Sequence, residues 1–141
     1  MRGNHHNQRN FFRVDAYIPF THRRIPSGEP AVRTAAVLSP EEALLLQDIA
    51  VKKVNISGGG LAFDSQRPYN PGDRIEIAMV LKVRDGALVV CGEVVRTDQV
   101  RGLYRVAVRY LDMDEKIRGI ITKFVFLRER ELRDEKRAGW L

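Results

Sequence analysis

Between Val51 and Leu111 the chain alternates apolar and polar residues in short runs cut by tight turns, and this period of two limits the architectures open to it. Ile75, Ile77, Met79, Leu81 and Val83 keep a strict alternation. Tyr104, Val106, Val108 and Tyr110 do the same, with Arg105 and Arg109 on the opposite face. Successive side chains of a strand point to opposite faces, so such runs read as half-buried strands. Gly58-Gly59, Pro71-Gly72-Asp73, Asp85-Gly86 and Gln99 to Gly102 separate them, which places strands near 50–56, 60–65, 73–83, 87–97 and 103–112. Val14 to Phe20 adds another, with Pro19 pointing to an edge or a strand end. Residues 25–38 carry Pro26, Gly28 and Pro30 and read as loop with a short strand at the end. Strands at this spacing suggest an antiparallel barrel or sandwich.

Two stretches change period. Ser39-Pro40-Glu41-Glu42 reads as a helix start: Ser39 caps, Pro40 suits the first turn, and Glu42 returns a bond to the cap. The helix would run through Leu44, Leu45 and Leu46 to about Asp48, its adjacent leucines packing on the barrel or on a second copy of the chain. Over 113–137, Ile117, Ile120, Ile121, Phe124, Val125 and Leu127 recur at helical spacing. Arg128 to Arg137 alternates in sign and reads as a solvated continuation of that helix.

The 141 residues suit one domain, and 44% apolar composition is enough for a modest core. No apolar run approaches the ~18 residues of a membrane span, and MRGNHHNQRN lacks the apolar segment of a secretory signal. One cysteine, Cys91, leaves no internal disulfide and no thiolate metal cluster. The expectation is a soluble, cytoplasmic protein with no metal. Lys and Arg number 24 against 18 acids, so the net charge is 24 − 18 = +6. The surplus lies mostly before residue 25, where Arg2, Arg9, Arg13, Arg23 and Arg24 face Asp15 alone. Such a localised surplus suits a small anion better than a nucleic acid, which normally meets a whole basic face.

Catalytic groupings are missing. Cys91 sits in the apolar run ALVVCGEVV and reads as a small buried hydrophobe. His5 and His6 lie in the polar, aperiodic start, and His22 stands beside Arg23 and Arg24 with no base–acid partner spacing. No enzyme is expected. Two stretches do carry anion chemistry. Arg9-Asn10-Phe11-Phe12-Arg13 is an R-x-x-x-R just before the first strand, and a guanidinium can fork onto guanine O6 and N7, grip a phosphate or stack on a base. The same spacing recurs at Arg101/Arg105, Arg105/Arg109 and Arg133/Arg137, so alone it carries little. Asn55-Ile56-Ser57-Gly58-Gly59-Gly60 joins two strands. Its glycines allow positive φ and a concave run of amides, with Asn55 and Ser57 expected to point the same way.

In this order the two stretches resemble the PilZ domain family, marked by R-x-x-x-R (Arg9, Arg13) and [D/N]-x-S-x-x-G (Asn55, Ser57, Gly60). Gly60-Leu61-Ala62-Phe63, Pro71-Gly72-Asp73 and Gly92-Glu93-Val94-Val95-Arg96 extend the likeness. The resemblance implies a mainly β fold, a six-stranded antiparallel β-barrel with a C-terminal α-helix, here with a short helical insertion. The divisions would be a flexible arm at 1–8, the domain at 9–130 with an insertion at about 25–50, and a charged tail at 131–141. The resemblance also implies a receptor for the second messenger cyclic di-GMP, with no other cofactor. By it, Arg9 and Arg13 would engage guanines and phosphates, Asn55 would bond a guanine, and Ser57 with Gly58, Gly59 and Gly60 would complete the anion seat. Asn55 stands where the family often has aspartate, a stronger acceptor.

A mechanism follows as an expectation: residues 1–13 wrap across the barrel mouth when ligand binds, changing the surface offered to a downstream effector protein. Self-association through the 39–48 helix is a further expectation. Two competing readings are a PilZ-like interaction module that binds no nucleotide and an oligonucleotide-binding barrel using Arg101, Arg105 and Arg109. The second lacks base-stacking aromatics beside the arginines, since Tyr104 and Tyr110 share parity with the core.

Overall fold

The structure, a computed structural model, describes residues 12–28, 35–39, 49–82 and 86–139. Seven strands run β1 (Arg13–Arg24), β2 (Ala35–Leu38), β3 (Ala50–Ser57), β4 (Gly60–Ser65), β5 (Arg74–Met79), β6 (Ala87–Val100) and β7 (Leu103–Leu111), followed by one helix, α1 (Glu115–Arg137). Six strands close an antiparallel barrel in the order β6–β5–β1–β3–β4–β7 and back to β6. The short β2 pairs with residues 87–90 of β6, on the edge that β7 does not reach. The barrel, the terminal helix and the short strand after residue 25 match the sequence-based expectation. Past Ser39, the expected 39–48 helix lies outside the described residues, as do the 1–8 arm and Arg9. No helix among the described residues is long and apolar enough to cross a membrane.

β1 departs from its expected place. Pro19 marked an edge or an end, yet β1 runs through it and lies between β3 and β5. Its ladder to β3 spans Arg13–Phe20, while that to β5 spans Phe20–Arg24. The Pro19 carbonyl accepts from the Val80 N–H at 3.0 Å, just beyond the end of β5. A strand residue's N–H and C=O share a side, so the missing donor faces a position where β5 has already ended. The missing donor costs only the second bond of the Pro19–Val80 pair, where strand pairing ends. β5 itself stops at Met79 rather than near 83, although Leu81 is still buried, because alternating burial continues where strand pairing has ceased.

Inside the barrel Val14, Ala16, Ile18 and Phe20 of β1 meet Val54 and Ile56 of β3 and Ile75, Ile77 and Met79 of β5. Cys91 is buried, and burial pushes its thiol pKa up. Arg101 (φ 53°) and Gly102 (φ 82°) make a two-residue turn between β6 and β7, the hairpin geometry whose twist suits right-twisted strands. α1 starts at Asp114, whose carboxylate accepts from the Lys116 N–H at 2.7 Å, and it buries Ile117, Ile121, Phe124 and Val125. Residues 131–137 form its last turns, the helical continuation expected from Arg128 to Arg137, with Leu132 packed against the core.

An aromatic cluster gathers around His22. His22 lies 4.5 Å from Phe63 and 5.5 Å from Tyr69, centroid to centroid, and its Nδ1 is hydrogen-bonded to the Tyr69 hydroxyl at 2.6 Å. The loop carrying Tyr69 is pinned by the Thr97 hydroxyl, which donates to the Tyr69 carbonyl, and by Arg67, which donates to the His22 carbonyl. Burial, with Lys52 and Arg67 nearby, pushes the His22 pKa from 6.5 down to about 4. The unfolded chain therefore takes up this proton first as pH falls. The stability linked to His22 is whole above pH 6.5 and is lost progressively toward about pH 4. Urea denaturation of His22→Gln should show a flatter dependence across that window than the native protein. An unchanged slope would assign the acid sensitivity to another group.

Candidate functional site

The pairing of β1 with β3 brings the two sequence motifs together. Arg13 lies opposite Ser57 and Asp15 opposite Asn55, so the second arginine of the first motif and the polar residues of the other occupy neighbouring strands. Val14 and Ile56 turn into the core, leaving Arg13, Asp15 and Asn55 on the outer face. A cleft of about 250 Å³ opens there, lined by Arg13, Asp15, Lys53, Asn55, Ala62, Phe63, Asp64, Arg96 and Arg105. Four cations against two carboxylates give its walls a net charge of 4 − 2 = +2.

Of the residues expected to bind ligand, the structure brings Arg13 and Asn55 to this cleft. Arg9 lies outside the described residues. Ser57 and the three glycines do not line the cleft. Ser57 is 4% exposed, and its hydroxyl accepts from the Gly59 and Gly60 N–H groups at 3.2 and 3.3 Å while donating to the Gly60 carbonyl at 3.1 Å. Ser57 shares its strand parity with Asn55, but its hydroxyl is taken up in bracing its own loop. Nor do Gly58, Gly59 and Gly60 adopt positive φ. The amides of Gly59 and Gly60 turn toward Ser57 instead of forming an open concave run.

The loop is held from two further sides. The Tyr110 hydroxyl donates to the Ser57 carbonyl at 3.2 Å, and the Arg118 guanidinium of α1 donates to the Gly58 carbonyl at 2.7 Å. Burial pushes the Tyr110 pKa far up, so this donor keeps its proton. Gly60 meets a different demand. It sits opposite Arg109 of β7, and a Cβ there would lie 2.1 Å from the Val108 carbonyl oxygen. Close strand approach requires this glycine.

Sequence reasoning missed Asp15, Lys53, Asp64, Arg96 and Arg105 as members of the site. Arg105 belongs, with Arg101 and Arg109, to the competing oligonucleotide-binding reading that the sequence disfavours. In the structure Arg105 Nε donates to Asp64 at 2.5 Å, Arg109 is paired with Glu93, and Arg101 sits in the hairpin turn. The face is divided among separate ion pairs. Arg96 was hidden by a bulge: Val94 pairs with Val108 and Arg96 with Ala107, so the alternation shifts by one and Arg96 turns outward. Among the described residues Arg13 has no carboxylate partner, and no group of three or more His, Cys, Asp or Glu side chains could hold a metal ion.

Residues 7–127 match the family model for the PilZ domain. The fold is similar to that of a tetrameric PilZ-domain protein from Xanthomonas campestris, self-assembled through a helical bundle. That match has TM-score 0.64 and 9% identity, covering 87% of this chain and 90% of that one. It is also similar to Escherichia coli YcgR in complex with c-di-GMP, with TM-score 0.56 and 17% identity over 93% of this chain and 50% of that one. The PilZ domain of YcgR with c-di-GMP matches at TM-score 0.53 and 16% identity, covering 92% and 98% of the two chains. The chain thus spans about half the length of the longer YcgR chain. At these identities the likenesses establish the fold. No curated protein matches the sequence.

Gly60→Ala should destabilise the protein by about 2 kcal/mol in denaturant unfolding without any ligand, since the new methyl collides with backbone rather than a movable side chain. A change below about 0.5 kcal/mol would mean that β7 has room to shift.

Proposed function

The chain belongs to the PilZ domain family, and we propose that it is a receptor for cyclic di-GMP, bound in the cleft between β1, β3, β4 and the β6–β7 hairpin. One observation carries the proposal: Arg13 and Asn55, from motifs about forty residues apart in sequence, face one cleft whose walls have a surplus of two positive charges. The ligand is a dianion with two guanines. It asks for guanidinium forks on phosphate and base and for neutral or anionic acceptors on the guanine N–H groups. Structures of similar fold solved with c-di-GMP support the choice of ligand.

Arg13 is the first anchor, because its guanidinium is uncommitted to any carboxylate among the described residues. Arg9, four residues upstream, supplies the second fork as the chain ahead of β1 orders over the cleft. Ser57 and the glycines hold the loop beneath Asn55 so that this amide keeps its aim. The chain acts as a receptor or adaptor: ligand binding remodels the surface presented by residues 1–13 to an effector protein. Catalysis has little support here, since the Cys91 thiol is buried with a raised pKa and His22 is buried in an aromatic cluster.

Calorimetric titration of the native chain with cyclic di-GMP, with GTP as control, tests the proposal. Binding of the dinucleotide and not GTP is expected, and no heat with either would end it. Arg13→Ala should lose at least about 1.5 kcal/mol, roughly tenfold in affinity. Ligand should also protect the bonds before residue 13 from protease, while equal cleavage with and without it would remove the ordering step.

A further inference from the structure

The cleft contains two carboxylates, and they are placed differently. Asp64 is committed to Arg105, whose Nε lies 2.5 Å from its Oδ1. Asp15 stands in register with Asn55 and accepts from the Asn55 Nδ2 amide at 3.1 Å through Oδ1. Its Oδ2 lies 4.0 Å from the Lys53 ammonium, and its side chain is 57% exposed, leaving lone pairs open to the cleft. The backbone is also held, because Arg128 of α1 donates to the Asp15 carbonyl at 3.3 Å.

A carboxylate offers acceptors alone, so the Asn55 amide must turn its NH₂ toward Asp15 and its Oδ1 away. The pair therefore presents a carboxylate and an amide oxygen side by side, a patch of acceptors within the cationic cleft. It suits a base edge that carries adjacent N–H donors, and guanine, with N1–H and the exocyclic N2 amine, has that edge. Adenine would set its N1 lone pair against the carboxylate.

We propose that Asp15 is the specificity-determining residue of the cleft, accepting from the guanine N1–H and N2–H groups and supplying the negative charge that Asn55 lacks. This inference rests on the cyclic di-GMP reading above. It also accounts for a carboxylate not committed to an arginine in a site of net positive charge: beside a dianion such a carboxylate weakens binding, and it contributes affinity when it meets donors.

The experiment uses the full chain and two probes, cyclic di-GMP and its inosine counterpart, which lacks the N2 amine. Asp15→Asn should bind cyclic di-GMP at least tenfold more weakly, and its preference for guanine over inosine should narrow. A purely electrostatic role has the opposite sign, because deleting a negative charge near a dianion leaves affinity unchanged or raises it. Native or higher affinity with the preference intact would overturn the inference. Asp15 is exposed, so the barrel should survive, and an unchanged melting temperature reports this. Adding Asn55→Asp to Asp15→Asn moves the carboxylate across the same strand pair. Restored guanine preference supports the assignment, and failure to restore it in a folded double variant overturns it. A native chain that binds neither probe would instead remove the receptor reading itself.

Discussion

The register between β1 and β3 is the constraint from which the rest of the molecule follows. Arg13 to Phe20 face Ser57 to Ala50 one for one, and a slip of a single residue would exchange the faces of β1. Val14, Ala16, Ile18 and Phe20 would then meet water, while Arg13, Asp15 and Tyr17 would enter the core. Burying four apolar side chains is worth several kcal/mol, so the alternative register is closed. The same pairing sets Asp15 beside Asn55 on the outside. Core and site are two faces of one ladder.

Closure of the barrel sets the opposite wall. β6 is long enough to serve β5 with its first half and β7 with its second, and the shift between Val94 and Arg96 marks the crossover. That bulge turns Arg96 toward the cleft. β7 can approach because glycine stands at two positions against Val108: a Cβ at Gly60 would meet the Val108 carbonyl oxygen at 2.1 Å, and one at Gly92 its Cγ1 at 2.2 Å. With β7 seated, Arg105 arrives across the opening from Arg13. α1 then ties the frame together, with Arg118 holding the Gly58 carbonyl and Arg128 the Asp15 carbonyl.

The cleft's electrostatics divide labour among its cations. Arg105 is held by Asp64 and Arg96 by Asp98 at 3.2 Å, so both are oriented before any ligand arrives. These are exposed pairs of small worth to stability, and their value lies in fixing direction. Arg13 has no such partner among the described residues; on the proposed receptor reading it is the fork left for an incoming anion, and the pre-oriented walls limit what remains to be ordered on binding.

Much of this was legible in the chain alone. Period-two runs at 75–83 and 104–110 and helical spacing from Ile117 to Leu127 announced a barrel with a terminal helix, because local periodicity and turn chemistry act within a few residues, and the motif residues Arg13 and Asn55 lie on neighbouring strands that line one cleft. Pro19 misled, since whether a missing donor matters depends on where a neighbouring strand ends. Arg105 misled as well, since its partner Asp64 is distant in sequence. Ser57 and Gly60 shape the loop, the Ser57 hydroxyl by accepting from the Gly59 and Gly60 N–H groups and Gly60 by letting β7 approach. Alternation alone assigned the inward faces of β1, β5 and β7, and helical spacing placed the terminal helix. Tertiary structure decided which outward-facing charges share a cleft and which are spent on each other, because Coulomb and hydrogen-bond partners are chosen by distance in space, and the register, the bulge and the closure of the sheet set those distances.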